Sequence, residues 1–266
     1  MLRNWICCAL LIALARPLPQ PELVPSAALV TAWRGELPLI LSAPHGGEVR
    51  VPGSRTRKSG VTVRDEDTAE LALLISQEVT DRLGAKPYVV IAQFSRKDAD
   101  ANRAPAEAFE NEASGAHYRA YHAALRQAVD ECRARFGEAL LVDLHGQAEQ
   151  PGVIARGTRD GRTMQSLERR KGLEFTIGPS SIGGRLIRKG YEVVPRTAPD
   201  GSRTPEVLFN GGFIVAEYGT MNEIGVDAIQ LEFGEQRSQL LTLARDCGEV
   251  LASFLKESGY LEQKAR

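Results

Sequence analysis

At 266 residues, 43% hydrophobic and 25% charged, the chain is long enough to close one substantial core and too balanced to be disordered or fibrous. Lys and Arg number 33 against 34 Asp and Glu, a formal charge of -1. That near-neutrality excludes a whole-molecule field of the kind that recruits nucleic acid or an anionic membrane.

Arg3 precedes an apolar run from Trp5 to Ala15, which ends at the Pro-rich stretch opened by Arg16-Pro17-Leu18-Pro19. The run is too short to span a bilayer and has the basic start, apolar centre and small-residue end of a secretory signal. Residues 1–15 are therefore expected to be a signal peptide and 16–27 a linker. Residues 28–266 would form a single catalytic domain, exported if the signal is cleaved and otherwise cytoplasmic, with no membrane span in the mature chain. Cys7 and Cys8 fall in the signal, leaving Cys132 and Cys247 on helical stretches as small buried hydrophobes. An oxidising compartment would also permit a disulfide between them. No CxxC pair is present, which excludes thiolate-rich zinc sites.

Ala28 to Trp33 predicts a short strand. Leu37 to Ala43 predicts another, ending at Pro44-His45-Gly46-Gly47, where glycines let backbone approach a bound group. Helical spacing covers Thr68 to Leu83 and stops at Gly84; Tyr88 to Ala92 is a β-branched run suited to a buried strand. A second long helix is predicted over Gly115 to Phe136, and a strand over Ala139 to Leu144. Ala155 to Pro205, rich in Gly, Arg, Ser and Thr, is expected to form long active-site loops holding a helix from Ile182 to Lys189 and a strand from Tyr191 to Val194. Ile214 to Tyr218 and Asp227 to Phe233 are expected as late strands, and Arg237 to Lys256 as a terminal helix. Strand and helix alternate, which predicts an α/β three-layer sandwich with a mixed, largely parallel sheet.

Of four histidines, His45 and His145 directly follow or close apolar strands, and each is followed by a glycine. Neutral imidazole suits zinc or another divalent ion, whose catalytic sites take three protein ligands and leave a position for water. The missing ligand is then a carboxylate, either Glu48, three residues after His45, or Asp65; Asp67 fits better as a cap on the following helix. Asp143, two residues before His145, shares its face of the strand and is placed to accept the spare imidazole N–H. Asn102 and Arg103 follow a further strand, where the guanidinium is suited to gripping a substrate carboxylate or a developing oxyanion. Glu232 stands in an otherwise apolar strand, an acid placed to serve as general base. Asn210-Gly211-Gly212-Phe213 and Ser180-Ser181-Ile182-Gly183-Gly184 supply glycine loops for the pocket. His117, Tyr118, Tyr121 and His122 are expected as packing or pocket wall. No Gly-x-Ser-x-Gly is present, so the main local mark of a serine hydrolase is missing.

Taken as an ordered set, Pro44-His45-Gly46-Gly47, Asp65-x-x-Thr68-x-Glu70-Leu71-Ala72, Arg96-x-x-x-Asp100-x-Asn102-Arg103, Tyr121-His122, Asp143-Leu144-His145-Gly146, Phe209-Asn210-Gly211-Gly212 and Ile229-Gln230-Leu231-Glu232 resemble the N-formylglutamate amidohydrolase family. Its fold is similar to that of the zinc carboxypeptidases. The resemblance implies a zinc held by His45, His145 and a carboxylate, with Asp65 favoured and Glu48 as the alternative. It also implies a carboxylate clamp at Asn102 and Arg103, catalytic roles for Glu232 and Arg103, and hydrolysis of an amide on a small, carboxylate-bearing molecule by residues 28–266 as a single amidohydrolase domain. Export would set the chain apart from intracellular breakdown of formylglutamate. It leaves open another N-acyl amino acid, a carboxypeptidase-like action on peptide or cell-wall fragments, or a non-catalytic ligand-binding protein on the same fold.

Overall fold

The computed structural model describes residues 29–234 and 239–262. The expected signal peptide and linker, with Cys7 and Cys8, lie outside the described residues, as do Ala28 of the first predicted strand and positions 237–238 of the predicted terminal helix. In chain order the elements are β1 (Val30–Trp33), β2 (Leu39–Ala43), α1 (Thr68–Leu83), β3 (Tyr88–Ala92), α2 (Pro105–Ala108), α3 (Glu112–Phe136), β4 (Leu140–Gly146), β5 (Val153–Gly157), α4 (Gln165–Lys171), α5 (Leu173–Thr176), α6 (Ile182–Arg188), β6 (Glu192–Val194), α7 (Phe213–Tyr218), β7 (Asp227–Phe233) and α8 (Leu240–Glu257).

Among the described residues the strands form one seven-stranded sheet in the order β1-β3-β2-β4-β7-β5-β6. β3, β2, β4 and β7 run parallel, β1 is antiparallel to β3, and β5 is antiparallel to β7. Because side chains alternate across a strand, the central strands feed two separate cores. Leu39 and Leu41 of β2, Val142 and Leu144 of β4, and Ile229 and Leu231 of β7 pack with α1 and α8. Ile40, Leu141 and Ala228 face the other way, against α3 and α7. The α1 side chains that close the first core, Thr68, Leu71, Ala72, Ile75, Ser76 and Val79, recur at helical spacing. The helix ends at Gly84, where a φ of 71° suits glycine and the N–H caps Thr80 O.

The expected sandwich is present, with three corrections. Ile214–Tyr218 belongs to helix α7, not to a strand: Ile214, Val215 and Tyr218 are buried one turn apart, and so short an apolar run carries no period that separates the two states. Ala155–Pro205 is not mainly loop, since it holds the end of β5 and helices α4, α5 and α6. β5 was hidden by Arg156, a buried cation paired with Glu206 at 2.5 Å, and α4 by having a single fully buried apolar residue, Leu167. Finally, Cys132 and Cys247 are free thiols in the cores on opposite faces of the sheet, so no disulfide joins them.

Candidate active site

Neighbouring β2 and β4 leave the sheet in different directions, since the chain passes from β2 to β3 on one side and returns to β4 on the other. Such a switch opens a crevice at the carboxyl ends of parallel strands. His45 follows β2 there and His145 closes β4. Parallel pairing then sets Asp143 beside Gln230 and His145 beside Glu232 of β7. These four share the face that packs toward α3 and α7, so two strands each deliver an i, i+2 pair of polar side chains to one spot. The segment before α1 brings Asp65, and the loop after β3 brings Arg96, Asp100, Asn102 and Arg103.

At Gly46 a Cβ would lie 2.6 Å from Ala69 N, so glycine admits the first turn of α1 beside His45. Asp65 Oδ2 lies 3.2 Å from His45 Nδ1 and 3.2 Å from His145 Nδ1. The ligating atoms these three residues offer lie within 4.8 Å of one another, and all three residues are buried. Behind them, His45 Nε2 is 2.7 Å from Asp100 Oδ1 and His145 Nε2 is 2.8 Å from Asp143 Oδ2. With each Nε2–H donated to a carboxylate, Nδ1 is the nitrogen that each ring turns toward Asp65. The backing carboxylates are themselves held. Ser42 Oγ donates to Asp143 Oδ1. Asp100 accepts from Arg96 Nε at 3.2 Å and Asn102 N at 2.9 Å, with Arg57 Nη1 3.3 Å away. Arg96 also donates to Asp65 Oδ1 at 2.9 Å, locking the acid between cation and imidazoles.

Burial opposes the charge on Asp65, but His45 and His145 outweigh it and hold the carboxyl below its ordinary range. Burial likewise opposes protonation of His145, yet Asp143, Glu232 and Asp65 keep its imidazolium well above the usual value. Four carboxylates thus surround two imidazoles, with Arg96 on Asp65 and Asp100 and Arg57 on Asp100, and the two Nδ1 atoms and Asp65 converge as a divalent cation's ligands would. The donor set of two nitrogens and one carboxylate oxygen matches catalytic zinc. Glu232, 8% exposed, is pushed up to about 7 by burial, with His145 opposing the rise. Its Oε1 accepts from Gln230 Nε2 at 2.7 Å and lies 4.0 Å from His145 Nδ1.

A cleft of about 890 Å³ opens over this cluster, and Asn102, Arg103, Asn210, Gly211 and Glu232 all line it. Arg103 is half-exposed, 4.0 Å from Asp100. Asn102 Oδ1 accepts from Ile214 N at 2.8 Å, so it braces the turn at Gly211, whose φ is 96°. Glu48 stands apart: its side chain is 78% exposed and paired with Arg64, so the alternative third ligand is not in the cluster. Asp67 sits at the N-cap position of α1 with φ 64° and makes no side-chain cap bond; Thr68 Oγ1 bonds Asp65 O instead. His117, Tyr118, Tyr121 and His122 are not among the residues lining the cleft. Tyr118 and His122 instead hold its floor from behind, bonding Arg103 O at 2.8 Å and Ala101 O at 3.0 Å. The sequence reading assigned no role to Ser42, Asp100, Gln230 or Arg159. Ser42 and Gln230 are buried polar residues within apolar strands, and Asp100 is a buried acid in the loop after β3. Arg159, left-handed at φ 51°, comes from the turn after β5 and lines the cleft.

Residues 108–237 match the family model described as N-formylglutamate amidohydrolase, which bears out the resemblance for the motifs from Tyr121 to Glu232. No curated protein matches the chain in sequence. Among solved structures, an N-formylglutamate amidohydrolase from Ralstonia eutropha JMP134 is similar at a TM-score of 0.61, with 20% identity, over 88% of this chain and 99% of that one. A gene product from Agrobacterium tumefaciens is similar at 0.51, with 13% identity, over 91% and 100%. At these identities the likeness is one of fold.

Proposed function

We propose that this chain, an amidohydrolase similar to the N-formylglutamate amidohydrolases, cleaves the amide bond of a carboxylate-bearing N-acyl amino acid or small peptide. His45, Asp65 and His145 would hold a divalent ion, with zinc favoured by the donor types. When bound, the ion supplies Lewis acidity to the attacking water and to the amide carbonyl. Asp100 and Asp143 fix the two imidazoles so that only Nδ1 is offered. Arg103, with Asn102 beside it, binds the substrate carboxylate and sets the scissile bond over the cluster.

Glu232 takes a proton from the water whose oxygen adds to the carbonyl carbon. It then returns that proton to the departing nitrogen as the C–N bond breaks, giving a carboxylic acid and a free amine. A carboxyl lifted toward neutrality by burial exchanges a proton in both directions at ordinary pH. The observation that carries this reading is the convergence of two Nδ1 atoms and Asp65 Oδ2, each imidazole backed by a carboxylate, with Glu232 beside them. Amine release from a panel of N-acyl amino acids, assayed with and without a chelator, tests it. Turnover abolished by chelation and restored by divalent metal is expected; chelator-insensitive turnover would remove the reading.

A further inference from the structure

We propose that the mouth of the active-site cleft is a binding site for an aliphatic group on the acyl side of the scissile amide, so that the preferred substrate carries a hydrocarbon chain there and not a formyl group. The inference rests on the amidohydrolase reading above and names the acyl half of its substrate.

Three of the cleft's lining residues are large, apolar and open to water: Val61 is 52% exposed, Val63 70% and Leu208 54%. Single exposed aliphatics are ordinary, but grouping around one functional opening is a mark of a binding surface. They come from two segments far apart in sequence, each pinned at its base by a buried cation or ion pair. Val61 O accepts from Arg57 Nη1 at 2.9 Å, and Val63 O from Arg96 Nη1 at 3.3 Å; Arg57 itself is 6% exposed. Two residues before Leu208, Glu206 is 4% exposed and accepts from Arg156 at 2.5 Å, Thr158 N at 2.6 Å and Asp160 N at 3.0 Å. Charged groups thus order two backbones whose tips leave half or more of each aliphatic residue open to solvent.

The remainder of the cleft explains which half of the substrate belongs there. Arg103 and Arg159 line the same space and suit the carboxylate of the amine half. That leaves the acyl half for the apolar rim. A formyl group, one carbon, fills little of about 890 Å³, a volume in the range that encloses ligands of many atoms. The same apolar chemistry is offered by a fatty acyl chain or by an aliphatic residue on the acyl side of a peptide bond.

The test is a series of formyl, acetyl, butyryl, hexanoyl and octanoyl derivatives of one amino acid, with a leucyl dipeptide of that amino acid as a further arm, assayed on the metal-loaded full chain. Each methylene buried at the rim is expected to raise kcat/KM about two- to fourfold, so hexanoyl should exceed acetyl by more than about tenfold. In the Val63→Ser, Leu208→Ser double variant the hexanoyl-to-acetyl ratio should collapse toward one. Preference for the hexanoyl or for the leucyl compound identifies the source of the aliphatic group; either supports the site. A series that is flat or best at formyl, or a ratio unmoved in the double variant, overturns it while leaving amide hydrolysis standing. If no member of the series turns over, the amidohydrolase reading fails. The site is then decided by calorimetric binding of the same compounds, where affinity rising with chain length supports it and length-independent affinity overturns it.

Discussion

Each of the two central imidazoles is committed on one side before any ligand arrives. Asp143 and Asp100 take the Nε2 positions of His145 and His45, and Ser42, Arg96 and Arg57 in turn hold those acids. Replacing Asp143 with Asn keeps the shape but offers an amide where a carboxylate stood. Metal affinity, measured by competition with a chromogenic chelator, should fall about 10- to 100-fold in that variant. Glu48→Gln should leave the affinity where it was, since that side chain reaches Arg64 and not the cluster. Glu232→Gln removes the proton carrier without removing a ligand. Its turnover should drop by about 10²- to 10⁴-fold with metal content intact, and activity near the parent value would take Glu232 out of the reaction. Most of these residues were legible in the sequence because a histidine or acid at the end of an apolar run demands an explanation. Asp100 and Ser42 were not assigned, because their partners stand 55 and 101 residues away and only the folded chain brings them together.

At the level of elements, β4 and β7 matter most, because their parallel register sets His145 against Glu232. Asp227, at the start of β7, helps anchor that strand: it accepts from Ser166 N and Leu167 N at the beginning of α4 and from Tyr260 Oη at 2.8 Å. Burial pushes its carboxyl up to about 6 from the ordinary 3.8, these donors opposing the rise. Between those values the folded state carries a proton that the unfolded state lacks. The contribution is therefore complete below pH about 4 and is lost as pH rises through 6, a change of roughly 3 kcal/mol. His122, pushed down to about 4 by burial, runs the other way, so the comparison is between proteins rather than on the parent alone. Across pH 4.5 to 7, denaturant titrations should show the parent losing about 2 kcal/mol relative to Asp227→Asn; parallel curves would contradict the assignment. The long apolar or strongly periodic elements, α1, β3 and β7, could be read from the sequence almost to the residue. β5 and α7 could not, one because its centre is a buried Arg–Glu pair and the other because six residues cannot display a helical period.

On the scale of the whole molecule, the sheet separates two tasks. The face that packs α1 and α8 is mainly hydrocarbon, with Asp227 as a buried acid at the start of β7, whereas the face toward α3 gives up its apolar pattern at the strand ends to seat the polar cluster. A divalent ion held at His45, Asp65 and His145 by the folded chain alone would stabilise that state by mass action. A divalent ion at a hundred times its dissociation constant should add about 2.7 kcal/mol and raise Tm by about 5–10 °C. The sandwich followed from alternating strands and helices, and the crevice from motifs at strand ends. What the sequence withheld was the cleft's outer wall, since Arg159 and Leu208 sit in turns whose positions depend on buried pairs made elsewhere.

His45, Asp65 and His145 are proposed to form one divalent-metal site. Mass-spectrometric metal content of the protein purified without added metal, compared with His45→Ala and His145→Ala, tests it most directly. Near one equivalent of zinc or another divalent ion per parent chain, and almost none in either variant, is the result predicted. A parent that stays metal-free even after reconstitution, or variants that keep a full equivalent, would contradict it.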